Sequence, residues 1–328
     1  MDAMAILISG SLAYDYIMDF SGRFRDYIMP KNIHLLNVCF PIRELVKSRG
    51  GTAGNIAYTL KLLGSEPVIV SVLGKDGGEY LIHLRRLGIG TRYIAQDKSR
   101  FTASAHIVTD RDDNQVAAFF SGADPKLTPP IPRIARILRV PHAHTTTNKS
   151  GALAIISPSH PHTMRRHMRE CAAHGIPAIF DPGQWSSSLT GAAFREMVRT
   201  SAITIGNDYE IKLLIERTGW SMRDVLKKTR VLITTFGEKG SAIATAKGVM
   251  RVAPAKPRRV TDPTGAGDSY RAGFLAGLER QYDLTTCGRM GSVAASFCIE
   301  HAGTQAHRFT KNEFRARFKK TYGAEVKI

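Results

Sequence analysis

Six short apolar runs, spaced by longer amphipathic stretches, constrain most strongly what this chain can fold into. The runs are AILIS (5–9), PVIVSVLG (67–74), PAIFD (177–181), AITIG (202–206), VLITTFG (231–237) and SAIAT (241–245). Each is brief and rich in Ile and Val, and most are bounded by Gly or Asp, the pattern of strands buried on both faces. Between them AGNIAYTLKLLG (53–64), PHTMRRHMRECAAHG (161–175), NDYEIKLLIERTG (207–219) and GAGDSYRAGFLAGLERQ (265–281) read as helices, two of them ending at a C-terminal glycine. Alternation of this kind predicts an α/β fold with a central, mostly parallel sheet flanked by helices, which binds ligands beyond the carboxyl ends of its strands. Two stretches break the rhythm. Residues 15–50 are irregular, and RFTASAHIVTDRDDNQVAAFFS (100–121) reads as two strands around the turn DRDDN. The organisation expected is a core of residues 1–14, 51–99 and 122–328 carrying a small inserted β-sheet lid from 15–50 and 100–121. At 328 residues, with no long Pro/Gly linker, one core with an appendage fits.

Composition excludes some classes and leaves one question. No segment approaches the roughly 18 apolar residues of a membrane span. Asp2 stands where a signal peptide carries positive charge, and the four cysteines (Cys39, Cys171, Cys287, Cys298) form no CxxC pair. A reducing cytoplasm is therefore the expected compartment. The net charge of +18 has three readings: nucleic-acid binding, attraction of a polyanionic small substrate, or a solvated basic surface. The basic runs RRHMR (165–169), KPRR (256–259) and RARFKK (315–320) are scattered and carry no nucleic-acid motif, so no nucleic-acid partner is expected. Phe314 and Phe318 of the terminal stretch would share one helix face and dock on the core.

Chemistry concentrates in DPTGAGDSYRAGF (262–274). A strand, a turn and then a long helix leave the first helical N–H groups unpartnered at the positive end of the dipole. Glycine at 265 and 267, with only a methyl at Ala266, lets an anion approach those amides, a hole suited to a phosphate gaining charge in a transition state. Asp268 would stand beside that anion, where a carboxylate is unwelcome unless it accepts a proton from an attacking hydroxyl. A Gly-rich turn with Asp in the first helical turn also exists without chemistry. Gly273 and Gly277 read as close packing of the helix. No P-loop and no strand-borne GxGxxG is present.

DPTGAGDSYRAGF resembles the second signature of the PfkB (ribokinase-like) family of carbohydrate and nucleoside kinases, and GGTAGNIAYTLKLLG (50–64) resembles the first. NDYE (207–210) is similar to the family's N-x-x-E, and TTFGEKGS (234–241) to its nucleotide-binding T-x-G-x-x-G. The resemblance runs from about residue 5 to residue 310 and implies a ribokinase-like fold. It implies Asp268 as catalytic base, with Gly265, Ala266 and Gly267 as the anion hole. Asn207 and Glu210 would organise Mg²⁺ near the ATP phosphates, although Asn207 at N-cap with Glu210 at N3 is also close to a capping box. Thr235, Gly237 and Gly240 would line the ATP groove. Asp15 would bind acceptor hydroxyls, which a carboxylate accepts in pairs, with Gly51 and Asn55 completing the cradle. Asp262 and Thr264 would sit near a K⁺ site.

Within the family, residues 102–123 and FCIEHAGTQAHRF (297–309) look most like adenosine and related nucleoside kinases. Phe101 and Phe119, read onto the lid strands, would sandwich a planar base; packing of the lid onto the core is the other reading. The implied function is transfer of the ATP γ-phosphoryl to the 5′-hydroxyl of a nucleoside, adenosine first, as in purine salvage. The alternative is a ribokinase- or fructokinase-type enzyme acting on a free sugar. SGAD (121–124) departs from the PGAM common in nucleoside kinases, and FDPGQW (180–185) fits them without giving Gln184 a role. The lid edge is where a second copy would pair into a homodimer, as in some family members.

Overall fold

The computed structural model describes residues 4–28, 37–112, 114–137 and 151–328. Asp2, residues 29–36 of the 15–50 stretch and Asp113 of the DRDDN turn lie outside the described residues. In chain order the strands are β1 (Ala5–Ser9), β2 (Ala13–Phe20), β3 (Ile42–Gly50), β4 (Pro67–Leu73), β5 (Ile94–Gln96), β6 (Ala103–Thr109), β7 (Gln115–Phe120), β8 (Ala152–Ile156), β9 (Ala178–Phe180), β10 (Ile203–Asn207), β11 (Val231–Thr235), β12 (Ser241–Thr245) and β13 (Gly248–Val252). Nine of them form one sheet in the order β13-β12-β11-β10-β9-β8-β1-β4-β5. Its strands are parallel from β5 to β11, and β12 and β13 close the edge antiparallel. The chain starts in the interior of this sheet and runs outward first to one side, then to the other. That places a switch of direction beside β1, where open α/β sheets bind ligands.

Both faces of this sheet are covered, which is why its strands read as unbroken apolar runs. In β1, Ile6 and Ile8 point into one layer with Ile56, Leu60, Phe274 and Met290, while Leu7 points into the other with Met164, Met168 and Phe194. Each such side chain is almost fully buried, and burial of this kind stabilises by roughly 1.5–3 kcal/mol per residue. The helix Ala266–Glu279 packs along Leu284–Cys298 at close range: a Cβ on Gly273 would come within 2.7 Å of Gly291 Cα. Phe314 and Phe318 of the helix Lys311–Tyr322 are buried in the first layer, as their shared face predicts.

The second sheet has four strands in the order β3-β2-β6-β7, with β2 and β6 parallel and the outer pairs antiparallel. The two strands expected around DRDDN are β6 and β7, and the turn is held by Asp110, which accepts from the amides of Asp112 and Asn114 at 2.9 Å. β5, β8 and β13, and the helices Gly78–Arg86, Gly191–Thr200 and Leu284–Cys298, are elements beyond those the sequence reading placed. β8 is a run of five buried residues, ALAII, flanked by Gly151 and Ser157-Pro158, so its signal was present; three-residue β5 gave none.

Part of the basic sequence is occupied within the fold. Arg165 and Arg169 both reach Glu196, Arg166 hydrogen-bonds Thr128 O at 2.6 Å, and Arg317 pairs with Glu300 at 2.8 Å. Among the described residues no helix is long and apolar enough to cross a membrane.

Candidate active site

The loops leaving the carboxyl ends of β1, β8, β9, β10 and β11 bring Ser11, Pro158, Asp181, Asn207 and Thr235 to one cleft of about 520 Å³. The small sheet supplies Asp15, Ala105 and Phe119, and the N-terminus of the helix Ala266–Glu279 supplies its floor. Gly265 is the N-cap of that helix, with φ +79° and a Cβ position only 3.1 Å from Thr304, so a side chain would be strained and crowded there. The amides of Gly265 and Gly267 have no partner among the described residues, whereas that of Ala266 donates to Pro263 O at 3.2 Å. Ala266 faces a neighbouring groove rather than the cleft. The free amides at this turn are therefore those of Gly265, Gly267 and Asp268, while that of Ala266 is engaged.

Asp268 lines the cleft beside them. Its Oδ2 accepts from Asn55 Nδ2 at 2.8 Å. Burial pushes its carboxyl up to about 6, opposed chiefly by the Arg271 charge and the Asn55 hydrogen bond. A carboxylate with this value is ionised at neutral pH and basic enough to take a hydroxyl proton as that hydroxyl attacks. Asn55 is nearly fully buried; its Oδ1 accepts from Gln305 Nε2 at 3.0 Å, and Gln305 in turn bonds Tyr80 Oη at 2.7 Å. Tyr80 donates to Gly50 O at 2.7 Å, so one polar chain ties Asp268 to the strand that precedes Gly51.

At one end of the cleft the carboxylate of Asp15, from β2, has no hydrogen-bond partner among the described residues, and burial raises its pKa. Gly51 and Phe119 line the same end. Phe119 also borders a smaller hollow with Ser9, Ser71, Gln184 and Trp185. Phe101 is not there. It precedes β6 and lines a separate hollow with Tyr16, Ser104, His106 and Phe120. Side chains alternate across a strand, and Asp15, Ala105 and Phe119 lie in register on one face of the small sheet while Tyr16, His106 and Phe120 fall on the other. The expected sandwich of Phe101 and Phe119 is therefore not formed. Lys75 Nζ lies 4.0 Å over the Phe101 ring instead.

At the other end stand Asn207, Glu210, Thr235 and Gly237. Asn207 and Glu210 form a complete capping box: Asn207 Oδ1 accepts from the Glu210 amide and Glu210 Oε2 from the Asn207 amide, both at 2.8 Å. The cap fixes Glu210 at the cleft, where burial and nearby Asp181 raise its carboxyl. Thr235 and Gly237 continue into the second groove, about 580 Å³, with Gly240, Pro254, Ala255, Pro257 and Ile299. Lys256 of the KPRR run lines this groove as well. Gly237 and Gly240 have positive φ in the turn joining β11 to β12, so turn and groove share them. Asp262 accepts from the amides of Thr264 at 2.8 Å and Gly303 at 2.9 Å, clasping the loop before the helix to the loop at 303.

Two residues without a role in the sequence reading sit at the centre. Asp181 is fully buried at the exit of β9, and Arg271, 7 % exposed, lies against it. Arg271 Nη2 donates to Asp181 Oδ1 at 2.6 Å and lies 3.9 Å from Glu210 Oε2. Aspartate at a parallel-strand exit was a usable signal. Nothing in the sequence, however, pairs residue 181 with residue 271. Among the described residues no three acidic, His or Cys groups lie close enough to cage a metal. The side-chain oxygens of Glu210 and Asn207 are hard donors of the kind that suits Mg²⁺.

The fold is that of the ribokinase-like kinases. Two structures of a nucleoside kinase from Burkholderia thailandensis, in complex with inosine and with ADP-inosine, align with TM-scores of 0.83 and 0.80 at 37% identity. The first alignment covers 99% of this chain and all of that one. A nucleoside kinase from Methanothermobacter thermautotrophicus is 30% identical over 326 residues, 98% of both chains. Residues 25–311 match the pfkB family carbohydrate kinases. Matched over residues 25–311 and across nearly its whole length to a relative of 30% identity, the chain belongs to the pfkB family of carbohydrate kinases.

Proposed function

We propose that the protein is an ATP-dependent nucleoside kinase, transferring the γ-phosphoryl group to the 5′-hydroxyl of a purine nucleoside, with adenosine the first acceptor to test. The observation that carries this reading is the position of Asp268. It stands at an open helix N-terminus, in a cleft that also holds the unpartnered carboxylate of Asp15 and that shares Thr235, Gly237 and Gly267 with a second groove. In this reading Asp15 and Gly51 hold the ribose diol, Phe119 stacks on the base, and Thr235, Gly237 and Gly240 line the ATP site. Asp268 takes the 5′-hydroxyl proton as the oxygen attacks the γ-phosphorus. The amides of Gly265 and Gly267 receive the charge that grows on the phosphoryl oxygens. Asn55 aims the Asp268 carboxylate through its 2.8 Å hydrogen bond. Mg²⁺, when bound, neutralises the phosphates; Glu210 and Asn207 would hold it through water. K⁺ would act behind the anion hole from the Asp262–Thr264 loop. The four-stranded sheet, from segments 15–50 and 100–121, would be the lid over the acceptor. Its exposed Leu45, Val46, Val116 and Phe120 are where a second copy would pair. All four cysteines are free, which supports a reducing cytoplasm.

An ADP-release assay against nucleosides and free sugars tests the reading, with Asp268→Asn as the control. Nucleosides are expected to turn over, and Asp268→Asn to lower kcat by about 10²–10⁴-fold with ATP binding retained. Faster turnover of ribose or fructose than of any nucleoside would install a sugar kinase instead, and undiminished turnover by Asp268→Asn would remove Asp268 from the chemistry. Repeating the assay with Na⁺ for K⁺ reads the monovalent ion, and sedimentation velocity reads the dimer.

A further inference from the structure

A triphosphate must enter a cleft already lined by four carboxylates, Asp15, Asp181, Glu210 and Asp268. Among the described residues lining that cleft, Arg271 is the sole cation. Its guanidinium is anchored on one side only. Nη2 hydrogen-bonds Asp181 Oδ1 at 2.6 Å, and Nε lies 2.5 Å from Asp181 Oδ2 as an ion pair without hydrogen-bond alignment. Nη1 has no hydrogen-bond partner among the described residues and lies 2.8 Å from where a Cβ on Gly267 would sit. An N–H donor of a buried side chain thus lies against the glycine whose own amide is free at the anion turn. A buried Arg–Asp pair left to itself contributes little net stability, because desolvation offsets the attraction. An arginine whose fork is half used and half aimed at an anion site has a reason to be there.

We propose that Arg271 is a catalytic residue: Nη1 binds a γ-phosphoryl oxygen beside the Gly267 amide and stabilises the charge that builds there during transfer, with Asp181 holding the guanidinium in place. The inference rests on the kinase reading above. In the step, the acceptor oxygen forms its bond to the γ-phosphorus and its proton passes to Asp268. The bond from that phosphorus to the β,γ-bridging oxygen breaks and ADP leaves with the electron pair. Arg271 keeps its protons throughout. The position is four residues after Gly267, one helical turn, so the side chain rises along the same face as the amide it would assist.

Arg271→Met alone would strand the Asp181 charge, so the comparison is Asp181→Asn against Asp181→Asn/Arg271→Met. Between the two, kcat is expected to fall about 10²–10³-fold, as for loss of one donor to a transition-state anion. The nucleoside KM should move less than threefold, and affinity for ADP with aluminium fluoride, a mimic of the transferring group, should fall with kcat. A purely structural arginine would leave kcat of the two variants within threefold, or would lower melting temperature, nucleoside affinity and kcat together; either result overturns the proposal. Should the double variant not fold, Arg271→Lys decides. It keeps the charge beside Asp181 but lacks a second donor arm, so kcat is expected to drop more than tenfold at unchanged melting temperature, and kcat within threefold of the parent overturns the assignment. The unaltered protein serves as control: inactivity on every nucleoside defeats the kinase reading, whereas activity with indifferent variants defeats only Arg271.

Discussion

At the scale of single residues, Asp268 carries two opposing consequences of one environment. Burial lifts its carboxyl from the ordinary 3.8 to about 6. As a base it works only when ionised, so kcat/KM is expected to fall as pH drops through about 6, which a pH–rate profile with a nucleoside acceptor would measure. Stability runs the other way. Folding raises this pKa, so between pH 4 and 6 the native chain holds a proton that the unfolded chain has released. Stability is therefore lost as pH rises across that window, by on the order of 1–3 kcal/mol. Asp268→Asn removes the cost. Calorimetry should find the variant more heat-stable than the parent at pH 7 and about equal to it at pH 4; a less stable variant at pH 7 would contradict the burial. The sequence identified Asp268 because two glycines and an acid stood together in four consecutive residues, Gly265 to Asp268. It gave no sign of Asn55 as the group aiming Asp268, nor of Gln305 behind Asn55, since 213 and 250 positions separate the paired residues.

Elements carry a different kind of information. Strand and helix periods were legible where the chain repeats them: the apolar runs became buried strands, and NDYE became a helix with both halves of its capping box made. The aromatic pair failed at this scale for a reason of period. Phe119 faces the cleft because it stands in register with Ala105 and, through it, Asp15, whereas Phe101 lies ahead of β6 and joins the opposite face. Phe119→Ala is accordingly expected to weaken nucleoside binding by about 1–3 kcal/mol, the worth of a base stack, while Phe101→Ala changes it less than threefold. Titration calorimetry of both variants with the same nucleoside checks this, and equal losses would refute the two-face assignment.

For the whole molecule, the question is how two sheets enclose one reaction. The large sheet brings five strand exits to the cleft, and the small one reaches over it with Asp15 and Phe119. If the small sheet closes over an acceptor, water is excluded from the phosphoryl group until the acceptor is bound. ATP hydrolysis without a nucleoside should then run below about 1% of the coupled rate, as ADP release in the absence of acceptor would show; comparable rates would mean an open site. The +18 charge resolves in part at this scale. Arg165, Arg169 and Arg317 are spent on Glu196 and Glu300, while Lys256 borders the second groove.

What the sequence by itself determined are the features written locally: strands buried on both faces, the glycine turn opening a helix, the acid beside it and the asparagine–glutamate cap. Each depends on neighbours within about one helical turn or one strand, so the chain states it outright. The tertiary structure alone decided which distant groups meet. It paired Asp181 with Arg271, strung Asp268 to Tyr80 through Asn55 and Gln305, and turned Phe101 away from Phe119. Those contacts depend on strand order, register and the facing of side chains, and such long-range geometry leaves no periodic mark on the sequence.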